Sequence, residues 1–219
     1  MNGDSFIVLA MSRPRLKPNS DVVLAAIRVI EQLGPSRLTL ADVAKEAGLA
    51  PATLMQRFGS KRGLLLEVAR LGAAGVREEF ARIRAQHRSP LAALEGVAEC
   101  MAMMARTPEV LANALAFLEM DLADPEFHRL ALEHARQFRA QIRVSLEEAM
   151  RAGELRRCPA ARLANAVQGM IGGSLMNWAV HREGKAKAFI MEDLETLLGP
   201  YRTTNGKSKK EARRKSGGR

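Results

Sequence analysis

The chain has 219 residues, 47% of them apolar and 4% aromatic, and a formal net charge of +10. That length allows one large or two small packed domains, and the early apolar run from Phe6 to Met11 is too short for a membrane span and has no basic segment before it. With two cysteines, Cys100 and Cys158, and no secretion signal, a disulfide scaffold is excluded and a cytoplasmic protein with two reduced thiols is expected.

Where the charge lies matters more than its size. Residues 1–70 carry 10 Lys/Arg against 6 Asp/Glu, residues 71–201 carry 16 against 17, and residues 202–219 carry 8 against 1. The middle is nearly neutral, so polyanion binding belongs to the ends.

Residues 1–19 show no helical period, and Arg13, Arg15 and Lys17 lie there with two prolines. They read as a basic arm that either reaches a minor groove and phosphates or stays solvated, with Met11 as an alternative start. Ser20 caps a helix from about Asp21 to Leu33, whose apolar face is Val22, Ala25, Ala26, Val29, Ile30 and Leu33. Gly34, Pro35 and Ser36 form the loop that follows.

The stretch from Thr39 to Leu66 carries the densest set of signals. Thr39 caps a short helix and Asp42 completes an approximate capping box, while Leu40, Val43, Ala44 and Ala47 share one face. Gly48 stops the helix and Leu49 pins the turn. Pro51 starts a second short helix, Leu54 and Phe58 face inward, and Ala52, Thr53, Gln56 and Arg57 are left for DNA. Gly59 ends it, Ser60 caps the next helix, and Lys61 sits in its first turn, where free amides favour a phosphate. This is a helix-turn-helix pattern.

Every later signal is helical. Helices are expected from Lys61 to about Gln86, with a bend near Gly72 and Gly75, and from Ser89-Pro90 to about Arg106. Others run from Thr107-Pro108 to about Leu122, from Asp124-Pro125 to about Ala152, from Pro159 to about His181, and from Ala186 to Leu198. The fold class is all-α with about nine helices. Residues 202–219 have no apolar period and read as a disordered basic tail that adds DNA affinity or, more simply, solubility.

No catalytic arrangement stands out, and neither an enzyme's polar cluster nor a metal or cofactor motif is present. His128 and His134 lie six apart, about a third of a turn from a shared face, and make a poor metal pair.

The residues Thr39, Val43, Ala44, Ala47, Gly48, Leu49, Thr53, Leu54, Phe58, Ser60, Lys61 and Leu64 resemble the DNA-binding domain of the tetracycline-repressor (TetR) family of bacterial transcriptional regulators. Two positions depart: Ala50 stands where the family has a serine or threonine cap, and Met55 where it has a phosphate-contacting tyrosine. The resemblance continues more weakly through Asp124-Pro125-Glu126, Gly153-Glu154-Leu155 and Leu197-Leu198-Gly199-Pro200-Tyr201. It implies a helix-turn-helix DNA-binding domain over residues 20–66 and a helical effector-binding and dimerisation domain over 67–201.

Its implied partners are double-stranded operator DNA, a second copy of the chain and a small effector, with no membrane and no cofactor. The implied activity is that of a repressor released from a palindromic operator. A nonspecific nucleoid-type DNA binder is the alternative, and a helical small-molecule-binding enzyme a weaker one. The DNA-contacting set is Thr39, Ala50, Pro51, Ala52, Thr53, Met55, Gln56, Arg57 and Lys61.

An apolar or amphipathic effector suits the soft side chains of the second half. The expected pocket is Met101, Met104, Asn113, Phe117, Met120, Phe138, Gln141, Met170, Asn177 and Trp178, with ordinary core packing as the competing explanation. Gly169, Gly172 and Gly173 each cost about 1 kcal/mol in a helix, which a close helix approach would offset. The resemblance places them, with Leu163, Val167, Leu194, Leu197 and Leu198, in a four-helix dimer interface. A contact internal to the subunit is the alternative.

Overall fold

The computed structural model describes residues 18–203. The alternative start at Met11, the arm residues Arg13, Arg15 and Lys17, and the tail from 204 onward lie outside the described residues.

Nine α-helices are described: α1 (Asn19–Arg37), α2 (Leu40–Ala47), α3 (Pro51–Phe58), α4 (Lys61–Ala85), α5 (Pro90–Met104), α6 (Pro108–Ala123), α7 (Pro125–Arg151), α8 (Ala160–His181) and α9 (Ala186–Leu198). A 3-10 turn, Gly199–Tyr201, follows. The starts of α5, α6 and α7 lie where the sequence places a cap before a proline. Ser89, Thr107 and Asp124 each accept hydrogen bonds from amides of the first turn, and the proline fills the position that needs no amide partner.

One local expectation fails. Ser20 is not the cap of α1: the helix begins two residues earlier than expected, at Asn19, Pro18 occupies the N-cap position without a side-chain bond, and Asp21 N donates to Pro18 O at 3.1 Å. α4 runs through Gly72 and Gly75 without a break, as one helix about 37 Å long. The end of α1 does fall near Leu33, because Gly34 adopts φ 74° and ψ 161° and the remaining Pro35–Arg37 turn is separated by that kink.

Two buried clusters organise the molecule. The first joins Val22, Ala26 and Ile30 of α1 with Val43 and Ala44 of α2, Leu54 of α3, Leu64 and Leu65 of α4, and Phe127 of α7. The second joins Val76, Phe80 and Ile83 of α4 with Leu94, Ile142, Leu146, Val167, Ile171, Ile190 and Leu194. α4 contributes to both clusters. Phe127 is 1% exposed and lies in the first cluster although it belongs to the second half of the chain, so about 1.5–3 kcal/mol of burial ties α7 to the reader.

The C-terminal edge extends one step beyond the boundary expected at 201. Arg202 is buried, donates to Glu195 Oε2 at 3.1 Å and to Glu95 Oε1 at 2.5 Å, and pairs through its backbone with Leu155. A buried guanidinium needs such partners, and they hold α5, α9 and the turn after α7 together. Cys100 and Cys158 are free and half-buried, and burial pushes both thiols up.

Candidate nucleic-acid interface and apolar cleft

The reader is built by short-range bonds. Thr39 Oγ1 accepts from Asp42 N at 3.2 Å and Asp42 Oδ2 accepts from Thr39 N at 3.0 Å, which closes the capping box of α2. The Thr39 hydroxyl, which donates to Asp42 Oδ2 at 2.6 Å, and then the Thr39 amide hold the Asp42 carboxyl below its ordinary range. Gly48 takes the left-handed conformation (φ 64°, ψ 42°) and Leu49 N returns to Ala44 O at 2.8 Å. Ser60 Oγ accepts from Gly63 N at 3.0 Å and so starts α4. Gly63 is required there, because a Cβ on it would lie 2.1 Å from Phe58 O.

These constraints leave one side of α3 facing outward. Ala50, Pro51, Ala52, Met55 and Gln56 are exposed; Thr53 and Arg57 are half-buried, and Arg57 is engaged within the protein. Ala50 provides no side-chain cap for α3. Met55 is 53% exposed, an apolar side chain with no place in the core. Thr39 is exposed at the start of α2, and Lys61 donates from Nζ to Ser36 O at 2.6 Å, which holds its stem against the last turn of α1.

A second set of contacts ties the reader to the rest. Arg62, one residue into α4, meets Asp124 Oδ2 and Glu126 Oε2, each at 2.7 Å, and its guanidinium lies 5.7 Å from the centre of the Phe127 ring. Arg62 holds the Asp124 carboxyl below its ordinary range, helped by the amides of Glu126 and Phe127. On the other side Glu31 of α1 pairs with Arg106, and Glu31 O accepts from Asn113 Nδ2 at 2.9 Å. Sequence reasoning missed this bracing. Asp124-Pro125-Glu126 was visible as a motif and Arg62 follows directly on Lys61, but a pairing 62 residues apart leaves no periodic trace.

The ten residues expected to form one pocket are not brought together. Trp178 is buried in the second cluster and donates from Nε1 to Gly184 O at 3.3 Å, and Phe138 packs edge-on against Phe80 with ring centres 5.2 Å apart. Met101 packs on the same cluster, Met104 and Asn177 face solvent, and Asn113 is committed to Glu31. Gln141 lines a small groove of about 230 Å³ between α4, α5 and α7, and Met170 an outer groove with Leu197 and Tyr201. Met120 lies in a recess between the reader and the α6–α7 junction. Helical spacing puts Met101, Phe138 and Trp178 on inward faces, and all three pack within or against the second cluster.

Phe117 is the member of that set that borders the apolar cleft. The cleft measures about 490 Å³ and lies between Val68, Ala69 and Gly72 of α4, Phe117, Leu118 and Leu122 of α6, and Leu130, Leu132 and Ala135 of α7. Asp121, His128 and His134 also line it. Burial raises the Asp121 carboxyl above its ordinary range and lowers the His134 imidazole, whose ring stacks on Phe138 with centres 5.9 Å apart. Both histidines reach one cleft, although they sit about a third of a turn apart on α7.

The expected dimer residues divide in the same way. Leu163 (6% exposed), Val167 (0%), Leu194 (1%) and Leu198 (0%) lie in the core of the subunit and have no surface to give a partner, because α8 and α9 turn their strongest apolar faces inward. Gly169 and Gly172 are exposed, Gly173 and Leu197 half-buried, and a methyl group on any of these three glycines meets nothing within 4 Å. The internal close approach considered for them therefore has no partner among the described residues.

The family described as "Bacterial regulatory proteins, tetR family" matches residues 22–68, which is the reader. The HTH-type transcriptional regulator BetI of Agrobacterium fabrum is 31% identical over 156 residues, 69% of this chain and 72% of the relative. A TetR transcription regulator from Haloarcula marismortui superposes with a TM-score of 0.69 at 12% identity, over 84% of this chain and 98% of that one. The transcriptional regulator FadR of Bacillus subtilis, solved in complex with stearoyl-CoA, does so with 0.63 at 19% identity, over 83% and 98%. The reader's sequence, the all-helical architecture and these likenesses agree, and the chain belongs to the TetR family of bacterial DNA-binding transcriptional regulators.

Proposed function

We propose that the protein is a homodimeric repressor that leaves a palindromic operator when a small apolar or amphipathic molecule enters the cleft between α4, α6 and α7. The observation that carries this reading is the position of Val68, Ala69 and Gly72. They line the cleft from the same helix whose first turns, at Leu64 and Leu65, are buried in the reader. A ligand shifts such an equilibrium only by the difference in its affinity for the two arrangements, so a hundredfold loss of DNA affinity needs about 2.7 kcal/mol of difference. The FadR neighbour's complex with stearoyl-CoA supports a ligand-responsive role in this architecture.

For DNA, the proposal gives Gln56 and Arg57 the base edges, since Gln pairs bidentately with adenine and Arg with guanine. Ala52, Thr53 and Met55 offer apolar contact to thymine methyl groups. Thr39, Ala50, Pro51 and Lys61 lie beside the backbone, with Lys61 exchanging its Ser36 carbonyl for a phosphate. The open stripe at Gly169, Gly172 and Gly173 is the proposed dimer contact, because small exposed residues let two helices approach closely. Curated relatives are named as transcriptional regulators, which supports a non-enzymatic and cytoplasmic protein.

The test is competition: labelled DNA from upstream of the protein's own gene is titrated at fixed moderate salt against random duplex. A regulator retains a large preference for the upstream fragment. Equal competition by random DNA would favour the nucleoid-type reading instead.

A further inference from the structure

Among the residues lining the α4–α6–α7 cleft there is one carboxylate, Asp121, and neither lysine nor arginine. Asp124, three residues further on, is taken by Arg62, but no ion pair of the described residues reaches Asp121. His128 sends its Nδ1 to the backbone oxygen of Asp121, at 3.2 Å, rather than to the carboxylate. Burial in this apolar recess raises the carboxyl above its ordinary range, and the nearby His128 ring offsets that only in part.

The rest of the lining is apolar and leaves room. Gly72 supplies no side chain where α4 borders the cleft, and a methyl group there would meet nothing within 4 Å. Phe117 adds an aromatic ring, whose face attracts a cation, and Leu118, Leu122 and Leu132 remain exposed along the same surface.

We infer that this cleft takes a lipophilic monocation, an alkylammonium or a protonated amine with an apolar body, whose positive head sits against Asp121 and whose body lies over Gly72, Phe117 and Leu122. An acid, a phosphate or an acyl thioester nucleotide meets a like charge here and no lysine or arginine to offset it. The inference rests on the reading of the cleft as the effector site and adds the charge of its ligand.

The experiment is calorimetric titration of the intact protein with decyltrimethylammonium, decanoate and 1-decanol, each below its micelle-forming or solubility limit. The cation binds at least about tenfold more tightly than decanoate, the scale of one unopposed charge contact. Asp121→Asn removes most of that preference and leaves decanol binding within about twofold, while Asp121→Glu keeps it. Gly72→Leu fills the space and weakens all three. Equal or tighter binding of decanoate by the parent overturns the inference, as does an Asp121→Asn protein that folds and keeps its preference, or a Gly72→Leu protein that binds all three unchanged. The parent's ranking of the probes decides the matter even if a variant fails to fold. A gel shift run in parallel separates the two readings: a cation that binds with the predicted preference but does not release DNA supports the ligand assignment and removes only the effector role.

Discussion

Gly63→Ala places a methyl group 2.1 Å from the backbone oxygen of Phe58, where 3.0 Å is the shortest approach that Cβ atoms keep. The obstacle is main chain, so no rotamer change relieves it, and the last turn of α3 must move away from the first turn of α4. Overpacking of this kind costs about 1–3 kcal/mol, and the better helix propensity of alanine returns up to about 1 kcal/mol. A net loss of about 1–2 kcal/mol follows, a fall in Tm of roughly 3–6 °C for a chain of this size. Gly72→Ala on the same helix is the control: its methyl group meets nothing, so it should stabilise by up to about 1 kcal/mol. Thermal unfolding of the two variants beside the parent measures both, and fluorescence anisotropy on operator DNA reports whether α3 has moved. A Gly63→Ala protein that melts with the parent and binds DNA equally would refute the claim that α3 is fixed by this close approach.

Replacing Gln56 or Arg57 with alanine should relax preference at particular base pairs by about 1–3 kcal/mol, whereas Lys61→Ala should weaken all sequences alike. Selection from randomised sites reads the difference, and a changed base preference in Lys61→Ala alone would contradict the docking. Gly169→Arg puts a charge on the open face of α8 without touching the core, so sedimentation should show monomers of unchanged helicity; an undisturbed dimer would move the interface elsewhere. Arg62 holds the Asp124 carboxyl below its ordinary range, so the pair's contribution is fully present above the unfolded carboxylate pKa of about 3.9 and fades as pH falls through the lower folded value. The Tm difference between parent and Asp124→Asn should be constant above about pH 5 and shrink in more acid solution. A difference that does not change across this range would mean that the ion pair contributes nothing.

The reader was legible because its determinants are local. Thr39 and Asp42 act over three residues, Gly48 and Leu49 over five, and the cap-then-proline pairs that open α5, α6 and α7 are adjacent. Ser20 misled because Pro18 can start a helix without any side-chain bond. What was not legible depends on which neighbour an apolar face meets. On α8 both the inward face, with Leu163 and Val167, and the outward stripe, with Gly169 and Gly172, are free of charge, so periodicity cannot assign one to the core and the other to a partner. The same limit scattered the expected pocket: helical spacing shows that Met101, Phe138 and Trp178 turn inward, but a packed contact and the wall of a void have the same period. Asp121 left no signal, since its character depends on which residues of α4 and α7 face the cleft, none of them lysine or arginine.

Sequence-specific reading by a symmetric pair of α3 helices is the centre of this account, and selection of binding sites from a fully randomised duplex library by the intact protein tests it most directly. Enriched sites should contain two inverted half-sites whose centres lie about 34–36 Å apart or a multiple of that distance. A library that returns no enriched sequence, or a single half-site without its inverted mate, would contradict it.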